Sequence, residues 1–414
     1  MPGQPGQPAP ARRLPAPPGA AWLAPWALLM MVAAFVSIAA TQISLGVALL
    51  VLLGLWWRRG LRPPLTGLEG TAAALALWAL AMIPLSTDVG RSLLYYRRFF
   101  LFSAVWVGAA VADTEPRRAR LLACCLGGAL VTCLHDEVLQ LVHHGSLFRD
   151  RMDVSFNAMT SGALLMMAAL VAAGFALVRG VARRVRLLCA AALGPLVLGL
   201  AMTMTRSTEL GLVVGVGAML AAARRRLFAG FAAALAAAAL AVVLLGPTRL
   251  PPLLYQRLTP ANLLGGENSV LRLEMWRGGL QMVKAHPWTG VGDRDLAAIS
   301  PQYYVSASGR YWGHLHSNPL HMAAIWGLPG LAFGTAFLVA GLWRLWRRWR
   351  EVADGGPPLA AGWALGGLGV WFGFNVAGLT EWYFGDAEPT LLYLAVLGIA
   401  LGGAGRGPGR RNDA

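Results

Sequence analysis

Lysine is almost missing from this chain: of its 35 basic residues only Lys284 is a lysine and the rest are arginine. A GC-rich genome explains that bias without any function. Charge of every kind is scarce, at 13% of 414 residues, about half the share of a soluble domain. That excludes a soluble globular enzyme. Cysteine is limited to Cys124, Cys125, Cys133 and Cys189. All four lie in apolar stretches, and none stands at metal spacing from a histidine or another cysteine. They read as small packing residues, with no disulfide framework. Period-2 alternation is lacking, which argues against a closed β-barrel. No internal repeat is visible, which weighs against an inverted-repeat transporter. The first 19 residues carry no A-x-A-like cleavage signal before the second hydrophobic span, and read as a retained cytoplasmic tail.

What remains is 57% hydrophobic, with mean hydropathy +0.57. The Ala/Leu/Val runs have the length of membrane helices. The expected fold is therefore an all-α polytopic integral membrane protein of about twelve transmembrane helices. The spans fall near 20–39, 41–56, 70–86, 99–112, 120–134, 156–178, 187–204, 209–223, 228–246, 317–342, 358–378 and 388–405. They divide the chain into a Pro-rich tail (1–19), transmembrane helices 1–9 (20–246), one large helical outer loop (247–316), transmembrane helices 10–12 (317–405) and a basic tail (406–414).

The net charge of +16 does not point to nucleic acid, because the arginines sit in short connections between spans. With both termini cytoplasmic, inner segments hold 22 basic residues and outer segments 13, seven of these in the 247–316 loop. The positive-inside rule then places that loop outside, which is the periplasm of a Gram-negative cell. Within the loop, Asn268-Ser269 reads as a helix cap, and Leu273, Trp276, Leu280 and Val283 as an apolar stripe.

Three of the seven histidines, His314, His316 and His321, crowd where this loop meets the next span. His316 is the candidate general base, since imidazole titrates near neutrality. A metal site from the three is a rival reading, as is the D-x-D-like Asp293-Arg294-Asp295, which turn chemistry also explains. Outward arginines run against topology and need a reason. Arg206 sits in a connection of a few residues, with Glu209 as a bland partner. Arg272 has Glu274 beside it. Both fit a phosphate ligand, because guanidinium binds phosphate oxygens in pairs and stays charged. Arg97 and Arg98 are explained equally by snorkelling at a helix end. In Thr380–Asp386, the carboxylates, Asp386 among them, are suited to orient His316 or meet a sugar. Trp382 and Tyr383 read as membrane-interface anchors. The nearly balanced charges of 135–155 read as a solvated loop, with Arg149 or Arg151 available to an anionic lipid.

These residues resemble the bacterial O-antigen ligases, within the superfamily that also holds O-antigen polymerases and protein-glycosylating oligosaccharyltransferases. The likeness rests on His316-Ser317, then nine residues, Gly327, two residues and Gly330. It rests also on Arg272-x-x-x-Trp276, followed by His286-Pro287-x-x-Gly290-x-Gly292, and on Arg206 at a short outer connection. Ser317 stands where many members carry asparagine. The resemblance implies a GT-C-like glycosyltransferase in the bacterial inner membrane. The donor would be a glycan on undecaprenyl pyrophosphate and the acceptor a sugar hydroxyl of lipid A–core. His316 would be catalytic and Arg206 and Arg272 would hold pyrophosphate, with His314, Asp386 and Arg98 as accessory residues. No cofactor and no metal are implied where arginines carry the leaving-group charge. A lipid-linked-glycan flippase or transporter is the alternative of a different class. It would place charges along a path through the bundle rather than at the outer ends of spans.

Overall fold

The protein is described by a computed structural model covering residues 19–60, 63–249 and 267–403. The Pro-rich tail, the prolines Pro251, Pro252 and Pro260 and the basic tail from residue 406 lie outside the described residues. Every described element is helical. In chain order they are α1 (Gly19–Ala33), α2 (Ile38–Arg59), α3 (Glu69–Met82), α4 (Val89–Tyr96), α5 (Ser103–Val111), α6 (Glu115–His144), α7 (Ala158–Leu177), α8 (Arg183–Met202), α9 (Arg206–Ala223), α10 (Arg225–Arg249), α11 (Glu267–Ala285), α12 (Asn318–Ala353), α13 (Pro358–Ala377) and α14 (Ala387–Leu401).

A helix answers each expected span, but not with the expected bounds. Eight described helices are long and apolar enough to cross a membrane; Ala21–Ala33, Glu69–Leu85 and Ala387–Leu401 are shorter apolar ones. The fourth span does not begin after the arginines. α4 runs through a 3-10 stretch (Arg97–Phe102) into α5, so Arg97 and Arg98 lie inside the helical path. The fifth grows to 30 residues because the charges at its ends suit a helix. Arg117 pairs with Asp113 and Arg118 with Glu115, while Asp136, Glu137 and Gln140 are buried near its far end.

The core sits between α7, α9 and α13, with α14 against them. Backbones meet there because glycines face one another. A Cβ on Gly174 would stand 2.6 Å from Gly366 Cα, and one on Gly211 2.6 Å from the Gly373 carbonyl oxygen. Small residues at such crossings let dispersion replace the hydrophobic effect that lipid cannot supply. α10 is the opposite case, with no residue of its apolar window buried.

α12 is broken at Gly327, whose φ of 70° and ψ of −179° lie outside the helical range, and Pro329 follows. The break frees carbonyls that a continuous helix would use. They are taken by the His286–Asp293 turn. Val291 N–H donates to Ala324 O (2.8 Å), Gly292 N–H to Ile325 O (3.1 Å), and in return Leu328 N–H donates to Pro287 O (2.7 Å). Trp78 Nε1 donates to Trp326 O at 2.9 Å. The two glycine-bearing motifs of the sequence are thus the two halves of one joint.

Candidate active site

The connections 145–157, 203–205, 286–317 and 378–386 all lie at the end of the bundle where α7, α9, α12 and α14 begin. They bring the candidate residues together. α11 packs on this end through glycines and through half of the stripe read from sequence, with Trp276 bonded to the Leu315 carbonyl and Val283 against the core. A Cβ on Gly279 would stand 2.6 Å from Leu315 Cδ1, and Met275 and Met282 are buried on the same face. Leu273 and Leu280 face outward, 41% and 52% exposed. Leucine spacing alone did not reveal that Gly278 and Gly279 mark the packing face. α11 is described from Glu267, so Asn268 and Ser269 lie within the helix.

Packing at Leu315 creates the geometry at His316. Leu315 is buried; its N–H donates to His321 Nδ1 at 3.4 Å, and its carbonyl accepts Trp276 Nε1 at 2.9 Å. The chain must then turn sharply, and His316 takes φ 44°. Such a conformation is costly for a non-glycine residue and collects at functional sites. Met204, at φ 50°, is the other described non-glycine residue with positive φ, and it lines the same cavity.

His316 Nδ1 lies 2.7 Å from Glu381 Oε2. The other oxygen of that carboxylate is paired with Arg272 Nη2. Both His316 and Glu381 are buried. Donation from Nδ1–H to the carboxylate fixes the tautomer and leaves the lone pair on Nε2. Arg272 therefore bonds Glu381; Glu274 instead accepts the Ala307 N–H at 3.2 Å. Glu381 was within the connection marked by sequence, but Asp386 was the carboxylate singled out there.

A cavity of about 470 Å³ opens beside this dyad, lined by Arg151, Arg206, Arg272, Trp312, His316 and Glu381 among others. Arg206 is exposed at the first turn of α9. The reading of 135–155 as a solvated loop is corrected here. α6 continues through the first ten of its residues. Arg151 Nε donates to Thr203 O and its Nη2 to Thr205 Oγ1, both at 3.1 Å. Arg151 thereby holds the turn that presents Arg206. The outward-charge argument applied to it as to Arg206, but the balancing acids around it concealed the signal.

A second cavity, about 340 Å³, adjoins the first and holds Asp153, His314 and Asp386. Two residues apart, His314 and His316 would point away from each other on a helix. In the irregular segment they occupy, their rings are 4.3 Å apart. Burial first, then the neighbouring His316, pushes His314 down to about 4, so it is neutral near pH 7. Burial, with Glu388 and Glu381 nearby, raises Asp386 to about 6. His321 is packing, with its ring 4.0 Å from that of Trp382.

Trp382 and Tyr383 are buried and are not interface anchors. Arg98 lies behind the site. It is 3.6 Å from buried Asp293 and 5.8 Å from the Trp382 ring, and it lines neither cavity. Asp295 accepts the Ala297 N–H at 3.0 Å. The two D-x-D carboxylates thus have separate structural partners. Among the described residues no group of three or more histidines, cysteines or carboxylates converges as a metal site.

Fold and site together define a polytopic helical membrane protein with a histidine–carboxylate pair in an arginine-lined cavity at one end of its bundle. Residues 191–334 match the family model described as O-antigen ligase, which bears out the resemblance to that ligase and polymerase superfamily. The matched stretch carries Arg206, Arg272 and His316. No curated protein matches the chain.

Proposed function

We propose that the protein is an O-antigen ligase of the bacterial inner membrane, with its active site facing the periplasm. It would move a glycan from undecaprenyl pyrophosphate to a sugar hydroxyl of lipid A–core. The observation that carries this reading is the convergence of the His316–Glu381 pair with Arg151, Arg206 and Arg272 on one cavity. With three guanidinium groups and one carboxylate, the cavity's formal charge at neutral pH is 3 − 1 = +2, with histidines neutral. That suits a pyrophosphate leaving group.

In this reaction the acceptor oxygen forms a bond to the anomeric carbon as the carbon–phosphate oxygen bond breaks. Polyprenyl pyrophosphate leaves with the electron pair. The acceptor proton passes to His316 Nε2, and Glu381 steadies the imidazolium that forms. Attack opposite the leaving group inverts the anomeric centre. Arg206 and Arg272 meet the charge that builds on the departing oxygen.

The deciding experiment gives purified protein the lipid-linked glycan with lipid A–core, with more lipid-linked glycan, or with pilin. Extension of lipid A–core supports ligase. Extension of glycan or pilin instead reassigns the chain to polymerase or protein oligosaccharyltransferase. Movement of intact donor across vesicles without any transfer would favour a flippase. Chelators are expected to leave the purified activity unchanged. A strict demand for Mg²⁺ or Mn²⁺ would return Asp293 and Asp295 to the site.

A further inference from the structure

The two adjoining cavities share Arg151, Met159, Trp312, His316 and Glu381, yet their charges are opposed. The second cavity has one guanidinium, Arg151, against the carboxylates Asp153, Glu381 and Asp386. Its formal charge is 1 − 3 = −2 where the first is +2. A pyrophosphate entering it would meet like charge. Carboxylates that only accept hydrogen bonds are matched instead by hydroxyl groups, which donate. The volume of about 340 Å³ falls within the roughly 300–1,000 Å³ of small-ligand sites. Trp312, 40% exposed with its ring 6.0 Å from that of His316, lines both cavities and offers them an apolar face.

We propose that this second cavity, with Asp153 and Asp386 as hydroxyl acceptors and Trp312 as the stacking surface, binds the uncharged terminal sugar of the acceptor. His316 stands between it and the donor's pyrophosphate. The inference rests on His316 acting as the base, since only then does the nucleophilic hydroxyl have to reach that wall. Thr160 Oγ1 donates to Asp386 Oδ2 at 3.5 Å, which holds that carboxylate in the cavity wall. His314, neutral and at ring contact with His316, adds a group able to donate from one ring nitrogen and accept at the other. Asn157 contributes less, because its side chain caps α7 by accepting Met159 and Thr160 N–H.

The test uses the full chain in detergent and two independent readouts. In the first, kinetics of Asp386→Asn and Asp153→Asn are compared with wild type. The acceptor KM should rise at least tenfold in each, with the donor KM within about twofold. A raised donor KM with unchanged acceptor KM would assign the cavity to the donor glycan and overturn the proposal, as would no change in either. In the second, saturation-transfer NMR follows a phosphate-free core oligosaccharide and, separately, inorganic pyrophosphate. The oligosaccharide should bind wild type and be lost in Trp312→Ala and Asp386→Asn, while pyrophosphate binding persists in Asp386→Asn. Absence of oligosaccharide binding to wild type would overturn the site whatever the turnover. Conversely, oligosaccharide binding without transfer to any acceptor would retain the site and reject the ligase reading.

Discussion

His316→Ala should lower transfer by about 10²–10⁴, the worth of a positioned general base, while the protein remains folded in the membrane. The variant removes a ring whose Nδ1 is held 2.7 Å from Glu381, and no neighbour can replace it. His314 is its nearest ring, 4.3 Å away, but burial holds that imidazole down to about 4. An imidazole so hard to protonate is a poor proton acceptor near pH 7. Glu381→Gln should follow with a loss of roughly 10²-fold or more, because the amide keeps the shape but not the charge that steadies the imidazolium. Its loss should fall on kcat rather than on the acceptor KM. The measurement is glycan transfer by purified protein, scored as lipid A–core extended per unit time. Normal attachment by His316→Ala would sink the catalytic assignment.

Gly327→Ala should have the largest effect on folding. The backbone there, at φ 70° and ψ −179°, is in a region essentially reserved for glycine, with a cost of about 1–3 kcal/mol for other residues. A Cβ would also overlap the Trp288 carbonyl and stand 2.9 Å from Pro287 O. The Pro287 carbonyl cannot retreat cheaply, since it accepts the Leu328 N–H within the joint. We expect a loss of several kcal/mol in all, read as a large fall in membrane yield and in the midpoint of thermal unfolding in detergent. A variant with unchanged yield and midpoint would show that the turn is not held by the break in α12.

The membrane class and the helices were legible because a bilayer leaves a long apolar chain so few options. Span ends were less so. The arginines at Arg97 and Arg98 read as an edge, yet Arg98 is accommodated inside the helical path by Asp293 from another part of the chain, a partner that local sequence cannot reveal. His316, Arg206 and Arg272 stood out in the sequence because each broke a local rule. The histidine stood at a polar–apolar junction, and the arginines stood on the side that topology disfavours. Glu381 broke no such rule, and the acids around Arg151 hid its breach of it. Their roles come from distances across 65 and 54 residues of sequence, and only the packed bundle supplies those. Trp382 misled for a related reason: an aromatic at a span end suits the interface and the interior alike.

The joint between the His286–Asp293 turn and the broken α12 has a consequence for how substitutions combine. Gly290 and Gly327 face it from opposite sides, each with a positive φ, Gly290 pressed against the Ile325–Trp326 backbone and Gly327 against that of Pro287 and Trp288. A side chain at either position would prise the two strands of contact apart. Once the first has done so, the second meets open space. Their separate costs should therefore not add. A double-mutant cycle over Gly290→Ala and Gly327→Ala should show a coupling energy of about 0.5–3 kcal/mol, with the double variant scarcely worse than the poorer single one. Two motifs separated by dozens of residues would then behave, thermodynamically, as one position.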